Sequence, residues 1–438
     1  MSNNTKYILP GVKAVLPEKK EPEACDILIN TKDGLIEKID KHLRKEEDAV
    51  FLEEFEGMVV FPGFIDPHVH FRVPGKSEAE DWLNGSKAAL SAGITTVLDM
   101  PNNNPPVTNL KSYESKKDIV NQNSLINFGL FGGLTKDNID ELKKIKTLKG
   151  IKVYMASTTG DMLLENIMNI DTAGDMLFAF HAEDEKIIQE NTKKWGHEIN
   201  IYNHTKIRGE KAAVSAVKQV VELQKKTSGK FHLCHASSPQ EIDLLSDTKI
   251  SHEVCAHHLF LDTSDYENKE FLLKCNPPIR EKETAGNLRK ALYEERIEMI
   301  ATDHAPHLIE EKQETSKWPP SGIPSIEAGT HLILNELFSG KLNFNYVSKI
   351  LSSNAAKRFN IKKRGEIKEG NFADLAVIHE EMWTLSKGDI YSKCGWNGFE
   401  GFTFNSKVIA SFVNGFLYKR NQLDEIIYRP KEACIFEV

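Results

Sequence analysis

Cysteine is scarce and scattered: six in 438 residues (Cys25, Cys234, Cys255, Cys275, Cys394 and Cys434), with no C-x-x-C pair. That excludes a disulfide-stapled scaffold and a C-x-x-C zinc or redox motif, and the six read as reduced thiols, mostly in the core. No apolar run approaches the roughly 20 residues that cross a bilayer. The opening MSNNTKYILPG has no basic stretch ahead of an apolar core, so no signal peptide is expected and a cytoplasmic location follows by default. Positive charge is in deficit, with 56 Lys and Arg against 64 Asp and Glu, a net −8. A nucleic-acid binder needs a basic face, so neither nucleic acid nor membrane is expected as a partner. The lysine-rich ELKKIKTLKG is the solvated side of a helix. No low-complexity tract and no G-x-G-x-x-G phosphate turn are present.

What remains is a globular composition long enough for one large α/β barrel plus a smaller module. Residues 1–58 read as short β segments, KYILPGVKAVL, ACDILINTKDGLIEKI and AVFLEEFEG, with a hairpin turn at Thr31-Lys32-Asp33-Gly34. Residues 361–438 have the same texture in GNFADLAVIH and SKVIASFVNGFLYK. Neither end has apolar surface enough to fold alone, so the two are expected to pair in one small β-sandwich. The middle, 59–360, alternates apolar strands with amphipathic helices, which argues for βα units and a parallel sheet. Eight strand candidates stand out: VVFPGFI, ITTVLDM, INFGLF, GIKVYM, MLFAFH, FHLCH, ISHEVC and IEMIAT. EDWLNGSKAALSA, GEKAAVSAVKQVVELQK and ETAGNLRKALYEE are helical stretches between them. This pattern predicts a (β/α)8 TIM-like barrel, with a doubly wound open sheet as the alternative.

The polar groups fall where barrel enzymes place their chemistry, at the C-terminal ends of different strands. In Phe61–Gly75, FPGFIDPHVHFRVPG, the residues Asp66, His68, His70 and Arg72 alternate and so share one face of an extended strand. Asn102 follows the second strand candidate in DMPNNNPP, Lys152 lies in the fourth, His181 ends the fifth and His235 ends the sixth. Glu253, His257 and His258 are at or after the seventh, and Asp303 follows the eighth in ATDHAPH. His68, His70, His181, His235 and Asp303 supply five N and O ligands suited to zinc, more than one ion needs, and point to two. Lys152 is the odd member, since an ammonium has no lone pair; a buried lysine snorkelling to the rim is its plain alternative. Cys234 adjoins His235, but neighbours on a strand face opposite ways, so it is not expected to join the ligands.

The pattern D-x-H-x-H-x-R-x-P-G resembles the entry strand of the cyclic amidohydrolases, and within them the dihydroorotase family, which interconverts dihydroorotate and N-carbamoyl-aspartate. The resemblance extends over nearly the whole chain, through MPN, IKVYMASTT, CNPPIR and ATDHAPH. It implies two zinc ions per chain, one held by His68, His70 and Asp303 and the other by His181 and His235. Lys152 would bridge them after carboxylation, although some members place an aspartate elsewhere and do without it. Asp303 would also be the catalytic base and acid. His70, Arg72, Asn102, Asn276, His307, Ser321 and Gly322 match substrate-contacting positions, with Arg72 and Asn102 taking the substrate carboxylate. Thr158 and Thr159 match a flap over the site, while His257 and His258 match a pattern without a ligand role and read as structural.

Two departures are present, Asn103 where threonine or leucine is common and Ala256 where proline is usual. The nearest rivals, allantoinase and dihydropyrimidinase (hydantoinase), share the ligands but not in general the arginine two residues after the second histidine. A non-catalytic scaffold of the same fold is the third reading, disfavoured because all six ligand positions are filled. A small-molecule substrate is the expected partner, and a homo-oligomer stays open.

Overall fold

The computed structural model describes residues 6–43, 48–156, 175–431 and 433–438; Thr158 and Thr159 fall outside these. Eight parallel strands form the central sheet in chain order: Phe64–Val69, Ile94–Asp99, Asn127–Gly133, Gly150–Tyr154, Leu177–His181, Lys230–Leu233, Ser251–Cys255 and Met299–Ala301. Almost every residue in them is buried, which explains why they read as apolar runs rather than as alternating ones.

The first strand is tied back to the segment after the last. His70 N donates to His304 O at 2.9 Å, and Val69 and His304 form a parallel bridge. Asp66 fastens the same seam, accepting from Thr302 N at 3.1 Å and Thr302 Oγ1 at 2.5 Å. Asp66 therefore closes the barrel and does not share the patch formed by its alternate neighbours.

Helices cover the outside where expected. Trp82–Ser91 starts at Asp81, whose side chain accepts from Asn84 N and satisfies one of the open N–H groups of the first turn. Glu210–Lys225 buries Ala212, Ala213, Ala216, Val217, Val220 and Val221, an apolar stripe at helical spacing. Lys282–Tyr293 does the same with Ala285, Leu288, Ala291 and Leu292. Among the described residues, no helix is long and apolar enough to cross a membrane.

The apolar run VVFPGFI is two strands. Val59–Pro62 belongs to a second sheet, where it pairs antiparallel with Leu375–His379, and only Phe64–Val69 enters the barrel. The chain passes between the sheets at Gly63, whose N donates to Asp374 O at 2.7 Å. A Cβ there would lie 2.2 Å from Thr95 Oγ1, so the passage admits only glycine. The second sheet runs Phe416–Lys419, Lys407–Val413, Leu375–His379, Val59–Pro62, Lys6–Ala14, Glu23–Asn30, Leu35–Asp40, with Ala49–Phe51 alongside Lys6–Ile8. The two ends of the chain thus share one hydrogen-bonded sheet, with its own apolar cluster around Leu9, Ile27, Val60, Leu375, Val377 and Phe412. The floor of the barrel is filled by Ile65, Leu98, Phe131, Ala179, Met299 and Phe359. The polar residues are left for the opposite rim.

Candidate active site

His68 and His70 lie at the end of the first barrel strand and turn their Nε2 atoms to one oxygen. His68 Nε2 is 3.4 Å and His70 Nε2 3.0 Å from Asp303 Oδ1. The other ring nitrogens are occupied, His68 Nδ1 by Glu253 Oε1 at 2.5 Å and His70 Nδ1 by Asn102 Oδ1 at 2.7 Å. Those oxygens only accept, so each ring carries its hydrogen on Nδ1 and presents a lone pair at Nε2. Burial, with Lys152 as the next influence, pushes His68 down to about 4, so the ring is neutral at neutral pH. Burial raises the Asp303 carboxyl, but His68, His70 and His235 outweigh it and hold it well below the usual range. Two imidazole nitrogens and a carboxylate oxygen therefore converge on one point, a donor set of the kind that holds a divalent cation. The residues fit a metal ion.

The second pair is built likewise. His181 Nε2 is held by Glu183 Oε2 at 2.8 Å, and its Nδ1 faces His235 Nε2 at 3.0 Å. Burial holds both rings below the ordinary histidine value. Arg208 pairs with Glu183 and also donates to Ala156 O at 3.1 Å. Burial pushes the Glu183 carboxyl up, but Arg208 and His181 bring it down to about 2, leaving it an anion that fixes the His181 ring. The His68 and His235 ring centroids are 5.3 Å apart, so the two pairs adjoin. Asp303 and His235 take left-handed backbone, φ +45° and +38°, a strain that surrounding structure must maintain.

Lys152 is fully buried beside both pairs. Among the described residues, the hydrogen bond of its Nζ goes to Cys234 Sγ at 2.8 Å, and no carboxylate pairs with it. Cys234 does point inward, against the alternation expected of a strand. The sixth strand ends at Leu233, and the left-handed turn at His235 lets consecutive side chains face the same space. The thiol lies with His68 and Glu253, all three ligand atoms within 4.8 Å of one another.

A second group of residues adjoins these candidate ligands. Arg72, itself left-handed at φ +63°, donates through Nε to Pro306 O at 2.9 Å and through Nη2 to His307 Nε2 at 3.0 Å. His307 Nε2 also faces Ser321 O at 3.1 Å, and its Nδ1 lies 3.4 Å from Glu311 Oε2. Burial and neighbouring Arg72 bring His307 down to about 2, consistent with a neutral ring. Ser321 Oγ links Lys274 Nζ at 2.7 Å to Asn276 Oδ1 at 3.1 Å. Gly322 lies against His307, where a Cβ would meet Ala305 O at 2.4 Å and His307 Cδ2 at 3.0 Å. Asn102 is reached from the outside: the buried pair Lys116–Asp99 also holds Asn103 Oδ1 at 2.7 Å and Met100 O at 2.8 Å. Asn103, a departure in the sequence, is thus an anchor of the Asn102 loop.

The amidohydrolase family model matches residues 59–417, well over half of the chain. This chain belongs to the amidohydrolase family. Among its curated relatives, the dihydroorotase of Methanosphaera stadtmanae is 32% identical over 419 residues, covering 92% of this chain and 95% of that protein. The dihydroorotases of Methanosarcina acetivorans and Pyrococcus furiosus are 33% and 31% identical, with 86% and 92% of this chain covered and 85% and 91% of theirs. Solved structures share the fold at lower identity. L-hydantoinase (dihydropyrimidinase) from Arthrobacter aurescens superimposes with a TM-score of 0.86 at 23% identity, covering 94% of this chain and 95% of that one. Dihydropyrimidinase from Brevibacillus agri gives 0.87 at 22% identity and covers 98% of both.

In this amidohydrolase, the supports of the candidate ligand histidines are what sequence reading missed. Glu253 falls at the seventh strand with no role legible in the sequence, yet it holds both His68 and His232, the latter at 3.0 Å from Oε2. Burial raises its carboxyl, but these two rings keep it well below the ordinary range. The available signal was a glutamate inside the apolar strand ISHEVC, where a buried charge needs a partner. Glu253→Gln should weaken metal binding about 10–100-fold, because the ring it orients loses its anionic acceptor. Titration against a competing chelator measures this, and unchanged affinity would remove Glu253 from the centre.

Proposed function

We propose that this chain is a dihydroorotase, hydrolysing the cyclic amide of dihydroorotate to N-carbamoyl-aspartate and closing the same ring in reverse. The observation that carries the reading is Arg72. It is a partly buried guanidinium beside the ligand cluster, and among the described residues it has no carboxylate in salt-bridge contact. A cation held this way calls for an anion, and a planar fork suits a carboxylate on the substrate. Dihydroorotate carries one; hydantoin, dihydrouracil and allantoin do not.

His68, His70 and Asp303 would hold one divalent ion, and His181 and His235 a second, with Lys152 between them as a carboxylated bridge. Carboxylation joins the neutral amine nitrogen to carbon dioxide and releases a proton, converting a cation into an anionic oxygen donor. Bound there, two zinc-class ions would supply a nucleophile at neutral pH and Lewis-acid polarisation of the amide carbonyl. Asp303, kept ionised by its histidines, accepts the proton of the attacking water and returns it to the ring nitrogen as the C–N bond breaks. Arg72 and Asn102 orient the substrate carboxylate, and Asn276, His307, Ser321 and Gly322 line the remainder of the ring.

Arg72→Lys tests the assignment. A lysine keeps the charge but not the fork, so KM for dihydroorotate should rise about 10–100-fold with a smaller fall in kcat. An unchanged KM would take the carboxylate away from Arg72.

A further inference from the structure

One buried cluster plays no part in the centre described above. Cys255 ends the seventh barrel strand, and His257 and His258 follow in the short helix Ala256–Phe260. All three are buried, and Cys255 Sγ and one nitrogen of each ring lie within 4.8 Å of one another. We propose that Cys255, His257 and His258 form a separate third metal site, for an ion of the zinc class, that fastens the Asn276 turn to the barrel.

The hydrogen bonding prepares these rings as ligands. His258 Nε2 lies 3.0 Å from Pro277 O, and a carbonyl only accepts, so the hydrogen is on Nε2 and Nδ1 carries a lone pair. Among the described residues, that Nδ1 has no partner, and neither do the two nitrogens of His257. Buried imidazole nitrogens are seldom left so, because the lost hydrogen bonds to water are not replaced. Burial also keeps both rings neutral, the form that binds metal: His257 is brought down to about 4 and His258 well below its ordinary value.

The donor set selects the ion. One sulfur and two imidazole nitrogens favour zinc over magnesium or calcium, which take oxygen. With bonds of about 2.0–2.3 Å, tetrahedral ligands lie about 3.3–3.8 Å apart, inside the 4.8 Å within which these three atoms lie. Burial pushes the Cys255 thiol well up, so it is protonated when no ion is bound. Binding therefore forms the sulfur–metal bond and releases one proton. Through His258 the ion would hold the carbonyl of Pro277, next to Asn276.

Cobalt substitution tests the site, because a thiolate ligand gives cobalt a near-ultraviolet charge-transfer band. Cys234 lies near the other ions, so Cys255→Ser and Cys234→Ser are compared with the wild type. We expect three ions per chain in the wild type, with the band kept in Cys234→Ser and lost in Cys255→Ser together with one ion. If Cys255→Ser does not fold, His257→Ala should show the same loss of one ion. A wild type without the band, a band lost only in Cys234→Ser, or three ions retained in Cys255→Ser or His257→Ala overturns the proposal. Two ions with full dihydroorotate turnover and no band would sink the third site while leaving the dihydroorotase reading intact.

Discussion

Replacing Asp303 with asparagine should lower kcat about 10²–10⁴-fold, the range for loss of a positioned general base, while the barrel stays folded. The amide is nearly the same size, so packing changes little. What disappears is the anion on which His68 Nε2 and His70 Nε2 converge. Asparagine cannot take the proton from water, and its neutral oxygen is a weaker donor to a cation. KM should change less than kcat, because Asp303 acts on the reacting atoms and not on the substrate carboxylate. Circular dichroism and steady-state kinetics on one preparation separate loss of chemistry from loss of fold. A variant with near-normal kcat would remove Asp303 from proton transfer.

Lys152→Ala should remove nearly all activity and empty or loosen the ion pair. The lysine is fully buried, and its Nζ donates to Cys234 Sγ, a weak acceptor for a charged group. A bare ammonium beside His68, His181 and His235 disfavours further positive charge, and it acts to lower the pKa of all three rings. A carboxylated side chain reverses that sign and supplies two oxygens. Formate or acetate added with zinc should restore part of the activity by occupying the space left by the side chain. Such an anion must be ordered from solution, so rescue should be partial. A fully metallated, active Lys152→Ala protein would rule out the bridge. Lower stability with full metal content would mean that Lys152 only packs.

Much of the scaffold was legible because parallel barrel strands are buried on both faces and read as apolar runs. The exception follows the same physics. VVFPGFI is one apolar run but two strands, and the crossing at Gly63 is set by Thr95 and Asp374, which are distant in sequence. Strand alternation grouped Asp66 with His68, His70 and Arg72. In three dimensions Asp66 turns to Thr302, and Arg72, with a left-handed backbone, reaches His307. The same rule set Cys234 apart from His235, and the positive φ at His235 undid it. The candidate ligand histidines lie at strand ends, where side-chain type and spacing carry the signal. Their supports do not: Glu253 and His68 are 185 residues apart, and only the closed barrel brings them to 2.5 Å.

Recognition of the substrate carboxylate by Arg72 is tested most directly by one set of assays on the zinc-loaded protein. Hydrolysis of dihydroorotate is followed in the ultraviolet and compared with hydantoin, dihydrouracil and allantoin. A charged hydrogen-bonded contact contributes about 1.5–3 kcal/mol, so kcat/KM for dihydroorotate should exceed that for each uncharged ring by about 10–100-fold. Preference for an uncharged ring, or no turnover of dihydroorotate by protein carrying both ions, would contradict it.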